Sequence, residues 1–306
     1  MTALIDAQRE FRDALLRAGL LISMGVDGLY GRGGMFEHVI ERINAVVGEV
    51  AAQDKPDVMR FPPGIGRWQL EKSGYLKSFP QLAGTVHSFT GTDKDHRALI
   101  EVLQSGGDWT GGQQMTEVVL TPAACYGVYP AVAARGQLPA SGALVDVYCY
   151  CFRHEPSIDP ARMQMFRMRE NVRVGTAAQT LEFRELWMER GRKVIESFGL
   201  PFDVDVANDA FFGRTGKMLA ANQRDEELKF ELLVPINSRE EPTACVSFNY
   251  HRDLFGRTWG INTSNGEPAH TACVGFGVER ITLALFKNHG LSVQGWPPAV
   301  RHVLGL

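Results

Sequence analysis

The chain has 306 residues, with 32 Lys and Arg against 35 Asp and Glu and a formal charge of −3. That balance argues against a protein devoted to gripping a nucleic-acid backbone, which relies on an excess of cationic side chains. No apolar run approaches the ~20 residues a bilayer span needs. The five cysteines are odd in number and irregularly spaced, which fits the reducing cytoplasm better than a disulfide scaffold.

In chain order, the opening stretch carries Asp6, Glu10 and Asp13. It reads as an amphipathic helix over most of residues 2–18, not as a signal peptide. After the glycine-rich LYGRGG a second helix is predicted from about Met35 to Ala52. Gly31, Gly33 and Gly34 make no phosphate loop, because no Lys-Ser/Thr follows. Val58 to Phe61 is a short apolar strand stopped by Pro62-Pro63. Asp93 to Gln104 reads as a helix capped by Thr92. Glu117 to Leu120 reads as a strand, and Ala123 to Ala134 as a short helix interrupted by Pro130. From Ala143 the chain turns β-rich: LVDVYCYCFRHE is a strand by its run of β-branched and aromatic residues. An amphipathic helix over Thr180–Phe198 follows, then strands at LKFELLVPI and TACVSFNY, and a closing helix at VERITLALFKNHG with glycine at its end. Strands cluster in the second half without regular helical interleaving. The expected fold class is therefore α+β, a mostly antiparallel sheet flanked by helices.

Two stretches concentrate chemistry. The first begins at Phe152-Arg153-His154-Glu155 and returns through Arg162, Phe166 and Glu170, spaced four apart. Continued strand alternation puts Cys149, Cys151, Arg153 and Glu155 on one face. Arginine can grip phosphate bidentately, a phenyl ring offers a stacking face, and a carboxylate can accept from the amine of adenine. The plainer alternative is a cross-strand salt-bridge ladder. The second stretch, His270 to Arg280, runs a strand through Gly275 and Gly277 into a helix whose first turn carries Arg280. Its plain alternative is a strand-to-helix turn with Arg280 in a surface pair. Lys229 alternates with Glu231 and is expected near phosphate or the adenylate, against a plain reading as an exposed strand pair. Cys149 with Cys151, and Cys245, read as small core residues. His154 and His270 read as structural.

Taken together, FRHE at 152–155, RMQMFRMRE at 162–170 and GFGVER at 275–280 resemble motifs 2 and 3 of class II aminoacyl-tRNA synthetases. The stretch Met35–Pro62 matches motif 1 in outline. Two motifs in order, about 110 residues apart, are far more specific than either alone. EPTACVSFNYHRDLFGR at 241–257 resembles a seryl-synthetase segment, and HTACVGFGVER with TPAACYGVYP is similar to the methanogenic-type seryl-tRNA synthetases. The chain is identified as a member of their truncated bacterial homologues, the amino acid:[carrier protein] ligases. This implies one class II catalytic domain over residues 1–306, with a short leading helix and no tRNA-binding module.

The resemblance also implies a site. Cys125, Glu170 and Cys273 match zinc ligands, with Glu170 meeting the substrate amino acid through the metal. From spacing alone this triad is invisible, and Cys149-Tyr-Cys151 is the local alternative. Arg153 would hold the α-phosphate, and Arg162 and Arg280 the outgoing phosphates with Mg²⁺. Phe166 and Arg280 would sandwich adenine, with Glu155 reading it. Arg153 and Arg280 are the expected catalytic residues. Met163, Lys229 and the run Ala244, Cys245, Val246 and Ser247 are expected at the ATP. Glu241 matches the glutamate that heads that segment in the synthetases, with a plain loop reading beside it. The implied reaction activates a small amino acid, glycine or alanine, and transfers it to the phosphopantetheine thiol of a carrier protein. The implied state is a cytoplasmic homodimer that uses neither tRNA nor membrane. Two rivals remain at this point, a tRNA-charging seryl-type synthetase and a non-catalytic module that binds amino acid or ATP.

Overall fold

The structure, a computed structural model, describes residues 2–306, the side chains of Thr2, Arg214 and Thr215 excepted. Helix α1 (Thr2–Arg17) leads into a hairpin of β1 (Leu21–Val26) and β2 (Leu29–Arg32), then α2 (Gly34–Ala52). A Cβ at Gly33 would lie 1.9 Å from the Gly19 carbonyl oxygen. The glycine there permits a close chain crossing. Strand β3 (Asp57–Arg60) ends just before Pro62-Pro63, as residues without N–H groups demand.

A small sheet follows, in the order β4–β6–β5. It comprises β4 (Gly64–Gly66), β5 (Thr85–Phe89) and β6 (Gln113–Leu120), with helices α3 (Arg67–Lys72) and α4 (Tyr75–Ser78) before β5 and α5 (Asp93–Gln104) after it. Thr92 does cap α5: its N–H and hydroxyl donate to Asp95 at 2.8 and 2.6 Å. The β6 strand starts four residues earlier than its sequence pattern predicts. Its polar residues Gln113 and Gln114 hide it, yet they pair with Phe89 and Ser88.

The rest of the chain builds the main layers. Helix α6 (Val128–Ala133) precedes β7 (Ala143–Phe152) and β8 (Met165–Gly175), and α7 (Ala177–Ser197) follows. Thr176 caps α7 reciprocally with Gln179, at 3.0 and 3.3 Å, and this capping box starts the helix three residues before the predicted Thr180. Then come β9 (Asp203–Val206), α8 (Gly213–Asp225), β10 (Lys229–Val234), β11 (Thr243–Arg252), α9 (Leu254–Trp259), β12 (His270–Gly277), α10 (Val278–His289) and α11 (Pro298–Leu304). The seven-stranded sheet has the order β3–β7–β8–β12–β11–β10–β9. Only β3 pairs in parallel; every other neighbour is antiparallel. The expected mostly antiparallel sheet with flanking helices is what forms.

Register sorts the two faces, because side chains directly opposite one another share a face. On one face Val246, Phe248, Val274, Phe276 and Leu232 join Trp187, Ile281 and Leu285 in the larger core, beneath α2, α7 and α10. On the other face Val147, Glu170, Gly275, Ser247 and Glu231 form one row across five strands. Val145, Val172, Cys273, Asn249 and Lys229 form the next. Part of this second face is roofed by α6, α9 and the preceding helical turn Ala124–Gly127. The remainder is open, and the site lies there.

Candidate active site

The open face of the sheet floors a cavity of about 540 Å³. Met168, Glu170, Gly275, Ser247, Asn249 and Lys229 come up from the strands, and Tyr75, Phe79, Tyr126, Phe211 and Phe255 wall it. At one end Cys125, Glu170 and Cys273 bring one ligand atom each within 4.8 Å of one another, all three buried. Strand β8 supplies Glu170 and β12 supplies Cys273. Cys125 arrives on the turn Ala124–Gly127. One Glu170 oxygen accepts the Ala124 N–H at 3.0 Å. The other has no hydrogen-bond partner among the described residues.

A buried carboxylate with an unmet lone pair is costly unless a cation or proton occupies it. Burial and the nearby Cys273 sulfur push the Glu170 carboxyl up to about 8. The Cys273 thiol is lowered well below its usual range by its hydrogen bond with Cys125, against burial, and by His251. Asn249 Nδ2 donates to Cys273 Sγ at 3.4 Å, and His251 Nε2 lies 3.8 Å from the same sulfur. Two soft sulfurs, one hard oxygen and flanking donors make a three-ligand set of the kind that suits Zn²⁺ with a fourth position left open. The Cys149–Cys151 pair is different: both are buried on β7, Cys151 Sγ donates to Cys149 O at 3.9 Å, and no third ligand joins them among the described residues.

Toward the other end of the cavity, cations gather. Arg153 and Arg280 line it there, beside Glu155 and Lys229, and with Arg162 they border an adjoining polar pocket. Arg280 donates to Ala161 O at 2.9 Å and to Ala244 O at 3.0 Å. Burial pushes its pKa down, as do the charges of Arg153 and Arg162. Three guanidinium groups held this close favour a polyanion between them. Arg153 lies over the Phe166 ring, 5.5 Å from its centroid, and its Nε donates to Pro122 O at 3.2 Å. Glu155 pairs with Arg162 at 3.3 Å.

Several expectations change in detail. Strand β7 ends at Phe152, so Arg153 and Glu155 do not continue its alternation. They sit in a turn where Arg153 N–H donates to Gln164 O at 2.9 Å and His154 N–H donates to Leu82 O at 3.1 Å. Arg162 likewise precedes β8, which starts at Met165. Lys229 is not half of an exposed pair: it is buried, with Nζ 2.6 Å from Asp209 and 3.0 Å from Glu231. Val246 points its side chain into the core between sheet and α7, so it can offer ligand only its backbone. Met163, Ala244, Cys245 and Ser247 border the cavity. Glu241 borders the polar end. His270 is structural, its Nδ1 2.6 Å from the Tyr250 hydroxyl. Asn249, His251 and Asp209 are site residues that the sequence reading passed over. Asn249 was within reach, because it alternates with Ser247 on β11. Asp209 lies in an irregular loop with no pattern to mark it.

No protein-family model matches the chain. Among solved structures, the M. kandleri seryl-tRNA synthetase (SerRS) in complex with A. aeolicus tRNASec superposes with a TM-score of 0.81, at 19% identity, over 96% of this chain and 60% of that one. With a mostly antiparallel sheet carrying the site on its open face, the fold is that of a class II aminoacyl-tRNA synthetase catalytic core. Two curated relatives are more specific. Amino acid–[acyl-carrier-protein] ligase 1 of Bradyrhizobium diazoefficiens is 50% identical over 287 residues, which is 94% of this chain and 88% of the relative. Ligase 2 of the same organism is 52% identical over 291 residues, 95% and 87%. The chain belongs to the amino acid–[acyl-carrier-protein] ligase family. Among the described residues no helix is long and apolar enough to cross a membrane.

Proposed function

We propose that this protein activates a small amino acid, glycine or alanine, with ATP and passes it to the phosphopantetheine thiol of an acyl-carrier protein. The observation that carries the reading is that Cys125, Glu170 and Cys273 line one cavity with Arg153 and Arg280, and that these two arginines also border the adjoining polar pocket that holds Arg162. An amino acid anchored by its amine at the cysteine end would have its carboxylate directed toward a triphosphate held by the arginines. Family membership supports the ligase chemistry.

In the first step a carboxylate oxygen of the amino acid attacks the α-phosphorus of ATP and the bond to pyrophosphate breaks; Mg²⁺ bound to ATP would offset the charge on the outgoing phosphates. Arg153 would meet the α-phosphate, where charge grows as the bond forms. Arg162, with Arg280, would hold the leaving phosphates. Phe166 and Arg280 would flank adenine, which Glu155 would read. For that, Glu155 must exchange its Arg162 partner for the base, and Arg153 must leave the Phe166 ring. Met163, Ala244, Cys245 and Ser247 would line the ATP, with Val246 contributing backbone. Lys229 would reach the adenylate only by exchanging one of its carboxylate partners, Asp209 or Glu231, for it. Cys125, Glu170 and Cys273 would hold a Zn²⁺, which when bound supplies a Lewis-acidic anchor for the α-amine. The protein's contribution is then mainly positioning. In the second step the carrier's thiol sulfur attacks the adenylate carbonyl, a thioester forms and AMP leaves. A thiol of ordinary pKa near 8.5 provides some thiolate at neutral pH.

The test offers radiolabelled glycine and alanine with ATP to holo-carrier, apo-carrier and total tRNA in parallel. Label is expected on the holo-carrier alone and released by hydroxylamine. Label on tRNA, or equal label on apo-carrier, would falsify the acceptor assignment.

A further inference from the structure

Beneath the nucleotide end of the cavity, on the helix-covered side of the sheet, lies a cluster of four charges in which Arg167 and Glu279 are buried and Arg32 and Glu37 partly so. We infer that Arg167 and Glu279 are positioning residues for the ATP step, holding the return arm of the 153–166 turn and the Arg280 helix in one register. The inference rests on the proposed nucleotide site above. Glu279 borders the cavity, but its carboxylate is turned to Arg167 and Arg32, so neither residue offers the nucleotide a free charge. Arg167 alternates to the opposite face from Phe166, and Glu279 is buried on α10.

The geometry is specific. Glu279 accepts the Arg167 N–H at one oxygen and Arg167 Nε at the other, both at 2.8 Å. The far edge of the same guanidinium donates twice to Glu37 on α2, each at 2.7 Å. Arg32 on β2 lies 3.2 Å from Glu279 and donates to Met165 O at 2.9 Å. Both arginines stack toward the Tyr150 ring, at 5.7 and 5.1 Å. Burial alone would lower the Arg167 pKa, but the Glu37 and Glu279 carboxylates raise it. Each cation therefore has an anion on hand, as a buried cluster requires.

What this cluster grips makes it more than a core salt bridge. Glu279 is covalently next to Arg280, and Arg167 is next to Phe166. Arg280 in turn holds Ala161 O, beside Arg162. Gln164 of the same arm is tied to the β1–β2 turn: its N–H donates to Gly28 O at 2.7 Å and its Nε2 to Asp27 O at 2.8 Å. The segment 161–167 is thus fixed at Ala161, Gln164, Met165 and Arg167. Arg162 and Phe166, the proposed phosphate and adenine contacts, are carried between those fixed points. Removing the Glu279 charge frees Arg167 from α10 while leaving the side chains of Arg153, Arg162, Phe166 and Arg280 unaltered.

The nearby Arg169–Asp146 pair supplies a control. It is comparably buried and bidentate, at 3.0 and 2.6 Å, and faces the same way one alternation further along β8. It does not join the nucleotide arm. The experiment compares Glu279→Gln, Arg167→Lys and Asp146→Asn by amino-acid-dependent ATP–pyrophosphate exchange, with melting temperature and metal content measured alongside. Glu279→Gln should raise KM for ATP by about tenfold, with KM for the amino acid and metal content within twofold of the parent. Arg167→Lys, which keeps the charge opposite Glu279, should show a smaller rise in KM for ATP. Asp146→Asn should lower the melting temperature without moving KM for ATP. If Glu279→Gln does not fold, the double variant Arg167→Met/Glu279→Met, which replaces the pair by apolar side chains, takes its place with the same expected shift. A folded variant of either kind with parental KM for ATP overturns the inference, as does an equal shift in Asp146→Asn. Arg280→Ala is run in parallel. If it too leaves exchange intact, the nucleotide site itself is misplaced, and the failure belongs to that reading.

Discussion

One carboxylate oxygen of Glu170 is satisfied by the Ala124 N–H at 3.0 Å, while the other has no hydrogen-bond partner among the described residues, and the carboxylate lies within 4.8 Å of the sulfurs of Cys125 and Cys273. The residue next to Ala124 is Cys125, so a single backbone bond both orients the carboxylate and seats the thiol. Purified protein should therefore contain about one zinc per chain, measured by atomic emission. Cys125→Ala or Cys273→Ala should lose both metal and adenylation while the fold survives. Cys149→Ala should keep its metal; loss there would transfer the site to the β7 pair.

Arg153→Ala and Arg280→Ala should each slow ATP–pyrophosphate exchange by roughly 30- to 1000-fold, corresponding to about 2–4 kcal/mol of transition-state stabilisation. Arg280→Ala also removes the bonds to Ala161 O and Ala244 O, so its KM for ATP should rise more than that of Arg153→Ala. Parental rates in both variants would remove the nucleotide reading.

Lys229 and Asp209 tie the loop before α8 to β10. Asp209 also bonds Gln223 of α8 through its N–H at 2.7 Å and its carboxylate at 2.9 Å. Burial would raise the Asp209 pKa, but the Lys229 charge outweighs it and the net shift is downward. A carboxylate depressed on folding contributes stability above its unfolded pKa, and that contribution fades as pH falls through the folded value. Amide exchange in α8 should therefore accelerate below about pH 4, and Asp209→Asn should show the faster exchange already at neutral pH. Equal exchange at pH 7 in the variant and the parent would remove the latch.

The chain is expected to be a homodimer. Helix α2 and strand β3 correspond in outline to motif 1, and β1 nearby leaves Ile22, Met24 and Val26 more than half exposed on alternate positions. Apolar rows of that kind on an edge hairpin are ordinarily covered. Light scattering should return twice the chain mass, and Met24→Lys should shift it toward the monomer. A monomer mass for the parent protein would count against the assignment.

The sequence by itself determined the elements whose signals are local. The Thr92 cap and the proline stop after β3 are short-range chemistry. So is the run of β-branched and aromatic residues that builds β7, where each residue's preference agrees with its neighbours'. FRHE, RMQMFRMRE and GFGVER were legible for the same reason, since each is one contiguous stretch doing one job. Local pattern did not reach the hairpin β1–β2, the strand β9 or the helix α8. These are short or polar, and they form only because the rest of the molecule supplies their partners. The functional geometry belongs to tertiary structure. Nothing in spacing joins Cys125 to Glu170 and Cys273; the pairing of β8 with β12 and the Ala124–Glu170 bond do. Nor could alternation say that Lys229 is buried against Asp209, or that Arg167 reaches both Glu37 and Glu279. Buried charges choose partners across the chain, because burial forbids them to remain single, and that constraint acts only once the layers have closed.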